Sequence, residues 1–568
     1  MTRNIENDVV IVLAGEAGQG IQSIESILSL LLKRSGFHFY STSEFMSRVR
    51  GGTNSTEIRV SSKRVTAFRD RIDILIPLHA QAVEHVAYRL TNDTVIIGDK
   101  AAVGHEGMID VPFSNIAKEV GNALYANTVA AGFICGLLRI DAEEGARFMR
   151  DYFASKTEEV RDNNRKAFLM GYEAAKDIPG ISITIEKTGE PKNELMISGS
   201  DAVAFGALAG GCDYVCGYPM SPATGVLQKM ADFSRRHGII VEQVEDEVGV
   251  VNMALGAWYA GARAFVSTSG GGFALMTEGI SLAGIIESPL VLHLAQRPGP
   301  ATGLPTRTEQ GDLDLVLYGG HGDFPRLIFA PGTITEAFEL TRRAFELADR
   351  YQVPAFILTD QYFVDTRYNV PAFDLPAQAP DRHIVKTDAD YLRFKLTPSG
   401  ISPRGVPGYG QGMVCADSDE HDESGHITES RDVRVSMVDK RKRKMDALLA
   451  EAVPPTLTGS DSYTHLVVCW GSTLPMVSEA ALSLPGFNIA ILHFSQVFPI
   501  SPRARGLLEQ AHTIVSVENN SSAQFTRLLR ENTGVPVAET ILKYDGMPFS
   551  VEELREKIAT VLRKGRAH

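Results

Sequence analysis

The sequence predicts a multidomain α/β protein, and three observations carry that reading. At 568 residues the chain exceeds what one hydrophobic core serves, and a prior of ~150 residues per domain suggests three or four. Short apolar runs that read as buried strands recur along its length, each closed by a glycine-bearing turn and followed by a helical apolar period. The clearest are Val9 to Ala14 before GEAGQGIQS, Ala264 to Ser269 before Gly270 to Gly272, and Leu466 to Trp470 before Gly471 to Thr473. Repeated strand, turn and helix is the pattern of sheets covered by helices.

Residues 1–186 read as a doubly wound first domain. The strand from Val9 turns through Gly15 to Ser23 into the apolar helix Ser26 to Leu32, and further strands follow at Ile72 to Pro77 and Val95 to Gly98. The glycines of the turn are spaced GxxGxG and not GxGxxG, so a helix terminus cradling a phosphate and a plain tight turn fit equally, and no nicotinamide site is implied. Arg48 and Arg50, in SRVRGGTNS, suit an anion or ordinary solvent and ion-pair partners. The charged, Gly- and Pro-containing segment Lys187 to Asn193 marks a domain boundary.

Residues 194–370 form the second expected domain. At its centre, three carboxylates, Glu245, Asp246 and Glu247, open a helix whose Val248, Val251, Leu255 and Trp258 fall on one face. Gly249 and Gly256 on that helix suggest close approach of another backbone. The domain ends with a helix from Glu336 to Arg350 and a strand from Pro354 to Asp360. Residues 371–460 read as an irregular connection. Its basic run Lys440 to Lys444 lies on a helix as a solvated face, and its acidic run Asp417 to His426 also faces solvent. Residues 461–568 close the chain with another alternating α/β domain, its strands at Leu466 to Trp470, Ile489 to Phe494 and Ile514 to Glu518.

Bulk properties narrow the function. A formal net charge of -13 argues against nucleic acid as the main partner, because phosphate binding is driven by Lys and Arg. No apolar run approaches the ~18 residues of a membrane span, and the charged N-terminus has no secretory core, so a cytoplasmic location is expected. The five scattered cysteines suggest neither a disulfide framework nor a four-cysteine cluster site. Self-contained GxSxG, HExxH and GxxxxGK[ST] motifs are absent from the sequence.

Three constrained loops of the second domain remain as candidates, since α/β sheets place ligands at the carboxyl ends of their strands. Tyr218-Pro219-Met220-Ser221-Pro222 follows a strand, and its two prolines hold the Ser221 hydroxyl at little entropic cost. Arg297, at the end of the strand Leu290 to Ala295, offers a fork to a carboxylate, with Thr302 and Thr306 as neutral donors nearby. A turn serine, an ion pair and turn threonines are the structural alternatives.

YPMSP at Tyr218, EDEVGVVNMALGA at Glu245, and QRPGPATGLPT with QGDL from Gln296 resemble, in order and spacing, the α subunit of the 2-oxoacid:ferredoxin oxidoreductases. The resemblance is closest to the 2-oxoglutarate type with its γ and α parts fused. GEAGQGI and RVRGGTNS resemble the γ part; WGST, VENNSSAQ and KYDGMPF resemble the α subunit's C-terminal domain. The fold implied is a γ-like doubly wound domain, a pyrimidine-binding domain for thiamine diphosphate (ThDP) and a transketolase-C-like domain.

The resemblance implies ThDP, Mg2+, coenzyme A and at least one [4Fe-4S] cluster, and conversion of a 2-oxoacid to an acyl-CoA, CO2 and reduced ferredoxin. Glu247 would hydrogen-bond the cofactor's aminopyrimidine, beside Tyr218 and Pro219. Ser221 and Arg297 would orient the 2-oxo and carboxylate end of the substrate, with Thr302 and Thr306 lining the pocket. The sequence departs from the family's usual residues at Met220, Ser221, Ala301 and Ser200, where isoleucine, threonine, serine and asparagine are common. The GDG motif that binds diphosphate and Mg2+ in such enzymes is missing upstream of Asn519-Asn520, so no metal ligands are assigned here. A β subunit is expected to supply that site and the cluster, in a dimer of αβ heterodimers served by ferredoxin. The substrate reading is 2-oxoglutarate, with pyruvate, a branched-chain oxoacid or a noncatalytic scaffold as alternatives.

Overall fold

Asp8–Glu16, buried at seven of nine positions, is the central strand of the first sheet in the computed structural model. The structure describes residues 3–16, 18–46, 52–176, 178–375 and 379–564. Arg48 and Arg50 lie outside the described residues. The chain divides into two compact units, Met1–Ile197 with Asp365–Ala372, and Ser198–Val364 with Phe373–His568.

The first unit is built on an eight-stranded mixed sheet. Ile74–Pro77 and Val95–Gly98 continue it in parallel on one side of Asp8–Glu16, and Thr53–Ser61 and His38–Glu44 continue it in antiparallel on the other. The GxxGxG turn feeds the helix Ile21–Ser35. Gly18 and Gly20 both take positive φ, and a side chain on Gly20 would run into the Asn127 amide, so the glycines of this turn have a steric cause without any ligand.

One boundary differs from the sequence expectation. Arg367–Val370, placed above in the second domain, pairs antiparallel with His38–Glu44 and belongs to the first unit's sheet. A four-residue strand carries too little periodicity to reveal its partner, and pairing with a buried neighbour decides its place.

In the second unit, a seven-stranded sheet runs Ile240–Gln243, Tyr214–Gly217, Ala264–Thr268, Leu290–Gln296, Pro354–Asp360, Leu327–Phe329 and Gln496–Phe498, parallel except for the last strand. A five-stranded sheet, centred on His465–Trp470, forms the C-terminal part. Gln496–Phe498 follows Ile489–Phe494 of that second sheet directly, so one stretch of chain serves both.

Residues 371–460 were expected to be irregular, with a solvated basic run. The helix expected under that run is present as the 20-residue Arg431–Ala450, but Lys440, Arg441 and Lys444 on it are buried. Lys440 and Lys444 each place Nζ 2.5 Å from one carboxylate oxygen of Glu287, a residue just past the helix Gly270–Ile285. Arg393 donates to the Glu287 carbonyl (2.8 Å) and to the side chain of Gln352 (2.8 Å), which caps the helix Ile334–Tyr351. The region is therefore a strap that sets cations on two helix C-termini, where the backbone dipoles favour positive charge. Among the described residues no helix is long and apolar enough to cross a membrane.

The helix Glu247–Tyr259 departs from its expected face. Val251, Leu255 and Trp258 are buried, but Val248 is 43% exposed and Val250 and Ala254 take the inner positions. Gly249 is approached by the Val244 side chain and by no foreign backbone, and Gly256 faces open space. The close approach is at Gly279, where an added Cβ would strike Val251. Gly256→Ala is accordingly expected to stabilise the protein by about 0.5–1 kcal/mol, as read by a raised unfolding midpoint, because it removes backbone freedom from a helix interior without a clash.

Candidate active site

The four neighbouring strands Ile240–Gln243, Tyr214–Gly217, Ala264–Thr268 and Leu290–Gln296 run parallel, so the loops leaving their carboxyl ends meet along one edge. Each of these loops delivers a candidate residue.

Tyr214–Gly217 leads into Tyr218 to Pro222, with a cis peptide bond before Pro222. Tyr218 is half-buried, and Pro219 and Ser221 are exposed. Leu290–Gln296 leads into Arg297, whose Nη1 donates to the Ser221 carbonyl at 2.6 Å. Arg297 and Ser221 are thus brought together, but through the serine's backbone and not its hydroxyl. One guanidinium nitrogen is committed to the loop and Nε is buried without a partner. Thr302 is exposed and Thr306 half-buried, and neither hydroxyl has a hydrogen-bond partner among the described residues.

Ile240–Gln243 leads to Asp246, which adopts φ +64° and caps the next helix by accepting from the Gly249 N–H at 2.9 Å. Capping consumes Asp246 and leaves Glu245 exposed, while Glu247 turns inward and is only 2% exposed. Its Oε1 is buried without a hydrogen-bond partner, and burial pushes its carboxyl above the usual range, with Asp246 and Glu245 adding to the rise.

Ala264–Thr268 leads to Ser269 and the glycine-rich start of Gly270–Ile285. A Cβ on Gly272 would meet the Thr268 hydroxyl and, at 2.5 Å, Glu247 Oε1; a Cβ on Gly270 would meet the Asp312 carboxylate. The consecutive glycines therefore let two carboxylates approach one helix start. Asp312 Oδ2 and the Ser269 hydroxyl are also buried without partners. Burial, with Glu309 nearby, pushes the Asp312 carboxyl up to about 7, against a smaller opposing pull from Arg297.

Four buried polar groups in adjoining loops thus have no partner: Glu247 Oε1, Ser269 Oγ, Asp312 Oδ2 and Arg297 Nε. Each such group costs about 1–3 kcal/mol unless something satisfies it, and their gathering at one strand-end edge makes that edge the candidate site for a polar ligand. His293, beneath the edge, is different. It bridges Ser267 (2.9 Å) and Thr359 (2.7 Å), and burial lowers its pKa to about 3, so it is a neutral core residue.

Asp312 and Ser269 were not singled out from the sequence. The only signal for Asp312 was its place in QGDL, whose other members prove structural. The Gln310 side chain exchanges hydrogen bonds with the Asn519 N–H (3.0 Å) and the Trp470 carbonyl (2.9 Å), and the Gly311 carbonyl accepts from Gln524 (2.9 Å). Asn520 donates to the Gln310 carbonyl (3.2 Å) and to Glu518 (2.9 Å), so the Asn-Asn pair braces this loop.

The raised Asp312 carboxyl gives a pH-dependent expectation. Between the ordinary value of 3.8 and about 7 the native state holds a proton that the unfolded chain has lost, so stability falls as pH rises through that window. Asp312→Asn should match the wild type at about pH 4 and exceed it at about pH 8 in unfolding midpoint. Equal midpoints at both pH values would contradict the assignment.

Residues 205–440 match the family model for "Pyruvate flavodoxin/ferredoxin oxidoreductase, thiamine diP-bdg", and residues 10–174 match that for "Pyruvate ferredoxin/flavodoxin oxidoreductase". The chain is 29% identical to the 2-oxoacid:ferredoxin oxidoreductase subunit alpha of Sulfolobus sp, over 98% of this chain and 97% of that protein. It is 30% identical to the 2-oxoglutarate synthase subunit KorA of Methanothermobacter thermautotrophicus, over 65% of this chain and 99% of the relative. Among solved structures, a 2-oxoglutarate:ferredoxin oxidoreductase from Magnetococcus marinus, with 2-oxoglutarate, coenzyme A and succinyl-CoA bound, superposes with a TM-score of 0.91 at 28% identity, covering 98% of this chain and 99% of its own.

Proposed function

Because the chain belongs to the family of 2-oxoacid:ferredoxin oxidoreductase alpha subunits, we propose that it is the alpha subunit of a CoA-acylating 2-oxoglutarate:ferredoxin oxidoreductase. The reaction is 2-oxoglutarate, CoA and oxidised ferredoxin to succinyl-CoA, CO2 and reduced ferredoxin. The observation that carries the reading is the set of unsatisfied buried groups around the Gly270–Gly272 helix start, above all Glu247 Oε1.

That donor set fits the aminopyrimidine side of ThDP, a ring with both donors and acceptors of hydrogen bonds. When bound, the cofactor supplies a carbon nucleophile and an electron sink for loss of CO2. Glu247 holds a proton readily because it is desolvated, and its unpartnered Oε1 would exchange that proton with a nitrogen of the ring when the cofactor is bound. The absent side chain at Gly272 leaves room beside that carboxyl. Tyr218 and Pro219 flank the same edge. Arg297, held by the Ser221 carbonyl, offers its charge to a substrate carboxylate, with Ser221, Thr302 and Thr306 as neutral donors. These assignments rest on placement at the strand ends and on the family's pattern of residues.

The reading assigns the diphosphate, Mg2+ and [4Fe-4S] sites to a β subunit, in a dimer of αβ heterodimers that delivers electrons to ferredoxin. Two features of this chain support it: no GDG motif occurs in the sequence, and Cys135, Cys212, Cys216 and Cys469 are buried core thiols whose ionisation burial opposes. The homologue named for 2-oxoglutarate and the Magnetococcus enzyme support the choice of substrate. The test is CoA-dependent viologen reduction by the chain copurified with its partner. Turnover with 2-oxoglutarate is expected to lead, and pyruvate or a branched-chain oxoacid turning over faster would overturn the assignment.

A further inference from the structure

At the C-terminal end of the short helix Leu313–Tyr318, a cleft of about 520 Å3 opens between the segment 317–326, the strap helix and the C-terminal part of the second unit. Its walls are apolar: Phe324, Met445, Phe498 and Leu528. Its floor is Arg326, only 6% exposed.

Arg326, like Arg393, is a buried cation held by carbonyl oxygens, and it differs from the paired lysines of the strap. Lys440 and Lys444 meet Glu287, and Arg263 meets Asp349 at 2.8 Å, but Arg326 has no carboxylate within ion-pair distance among the described residues. Its Nη1 donates to the carbonyls of Val316 (2.7 Å) and Gly319 (2.8 Å), at the end of Leu313–Tyr318, which is the ordinary work of a helix-capping arginine. Phe324 covers one face, with its ring centroid 4.3 Å from the guanidinium carbon, and that ring is itself seated against Gly284 and Gly320. Among the described residues Nε and Nη2 have no hydrogen-bond acceptor, and neither is fully closed off from solvent.

The guanidinium is therefore immobilised on one edge and one face, and its Nε/Nη2 edge is the edge that pairs side-on with a carboxylate through two parallel hydrogen bonds. A desolvated cation without a counter-charge is unfavourable, and burial lowers its pKa only to about 10, so it stays charged at neutral pH. The other charges of the cleft, Lys442, Asp323 and Glu531, are exposed at the rim, screened by water, and none pairs with Arg326. The one desolvated charge is positive, and the walls around it are apolar.

We propose that this cleft is a second ligand site, separate from the strand-end edge, that binds a small organic acid by its carboxylate on Arg326 and its hydrocarbon body against Phe324, Phe498 and Leu528. The ligand class is a monocarboxylate with an aliphatic or aromatic tail.

The test is calorimetric titration of the full chain, copurified with its partner, using hexanoate as the charged probe and hexanamide as its neutral match. Hexanoate should bind saturably, and hexanamide at least ~10-fold more weakly. Arg326→Gln and, independently, Asn532→Trp, which fills the rim without touching the arginine, should each weaken hexanoate at least ~10-fold, and Arg297→Ala should leave it unchanged. The rim variant keeps the test decisive if removing the arginine uncaps Leu313–Tyr318 and unfolds the region. Absence of saturable hexanoate binding to the wild type, binding indifferent to the Asn532 variant, equal binding of the amide, or loss with Arg297→Ala would each overturn the proposal.

Discussion

Glu247→Gln should lower the rate of CoA-dependent 2-oxoacid oxidation by at least ~10^2 while leaving the protein folded and assembled with its partner. The amide keeps the volume that fits beside Gly272 and can still form a hydrogen bond, but it neither takes up nor releases a proton at neutral pH. The fold has no stake in the charge. Oε1 has no protein partner, and the ionised form is the one that burial penalises, so the unfolding midpoint should stay level or rise. Steady-state rates beside a thermal melt of the same sample check both halves of the expectation. Unchanged turnover would favour a noncatalytic scaffold, and a collapsed melting curve would mean that Glu247 is structural.

The largest stability effect is expected just past the C-terminal end of the helix Gly270–Ile285. Glu287→Gln leaves the ammonium groups of Lys440 and Lys444 buried against each other with no counter-charge, which costs about 3–5 kcal/mol. The first unfolding transition in denaturant should move down accordingly. Replacing all three residues by apolar ones of similar volume, Glu287→Leu with Lys440→Met and Lys444→Met, should recover most of the loss, because the desolvation of three charges disappears with their attraction. The pH dependence has a definite sign. The two lysines hold the Glu287 carboxyl well below the usual carboxylate range, so its contribution is complete above the unfolded value and is lost only in strong acid. A triple variant as unstable as the single one would show that the strap depends on shape and not on charge.

The alternation of strand, glycine turn and helix was legible because it depends on local periodicity, and Pro354–Asp360 falls where the sequence places it. Glu247 was legible only as one of three adjacent carboxylates joined by motif resemblance to distant loops. The structure separates the three by role, since Asp246 caps, Glu245 is solvated and Glu247 is buried. What periodicity does not encode is a partner far away in sequence. Lys440 and Lys444 sit in a run that composition alone assigns to solvent, and only Glu287, more than a hundred residues earlier, makes their burial possible. Asp312 escaped notice for the same reason, because its desolvation arises from packing against Gly270.

The strand Arg367–Val370 has a consequence for how such a protein is encoded. The first unit completes its sheet with residues that lie beyond the whole of Ser198–Val364 in the gene, and they cover the outer edge of His38–Glu44. A gene divided at the segment 187–193 would yield a first polypeptide ending with that strand's amides and carbonyls bare, an open template for pairing with another chain. In the fused chain that edge is paired by residues from far downstream, so the first unit's sheet draws on both parts of the sequence.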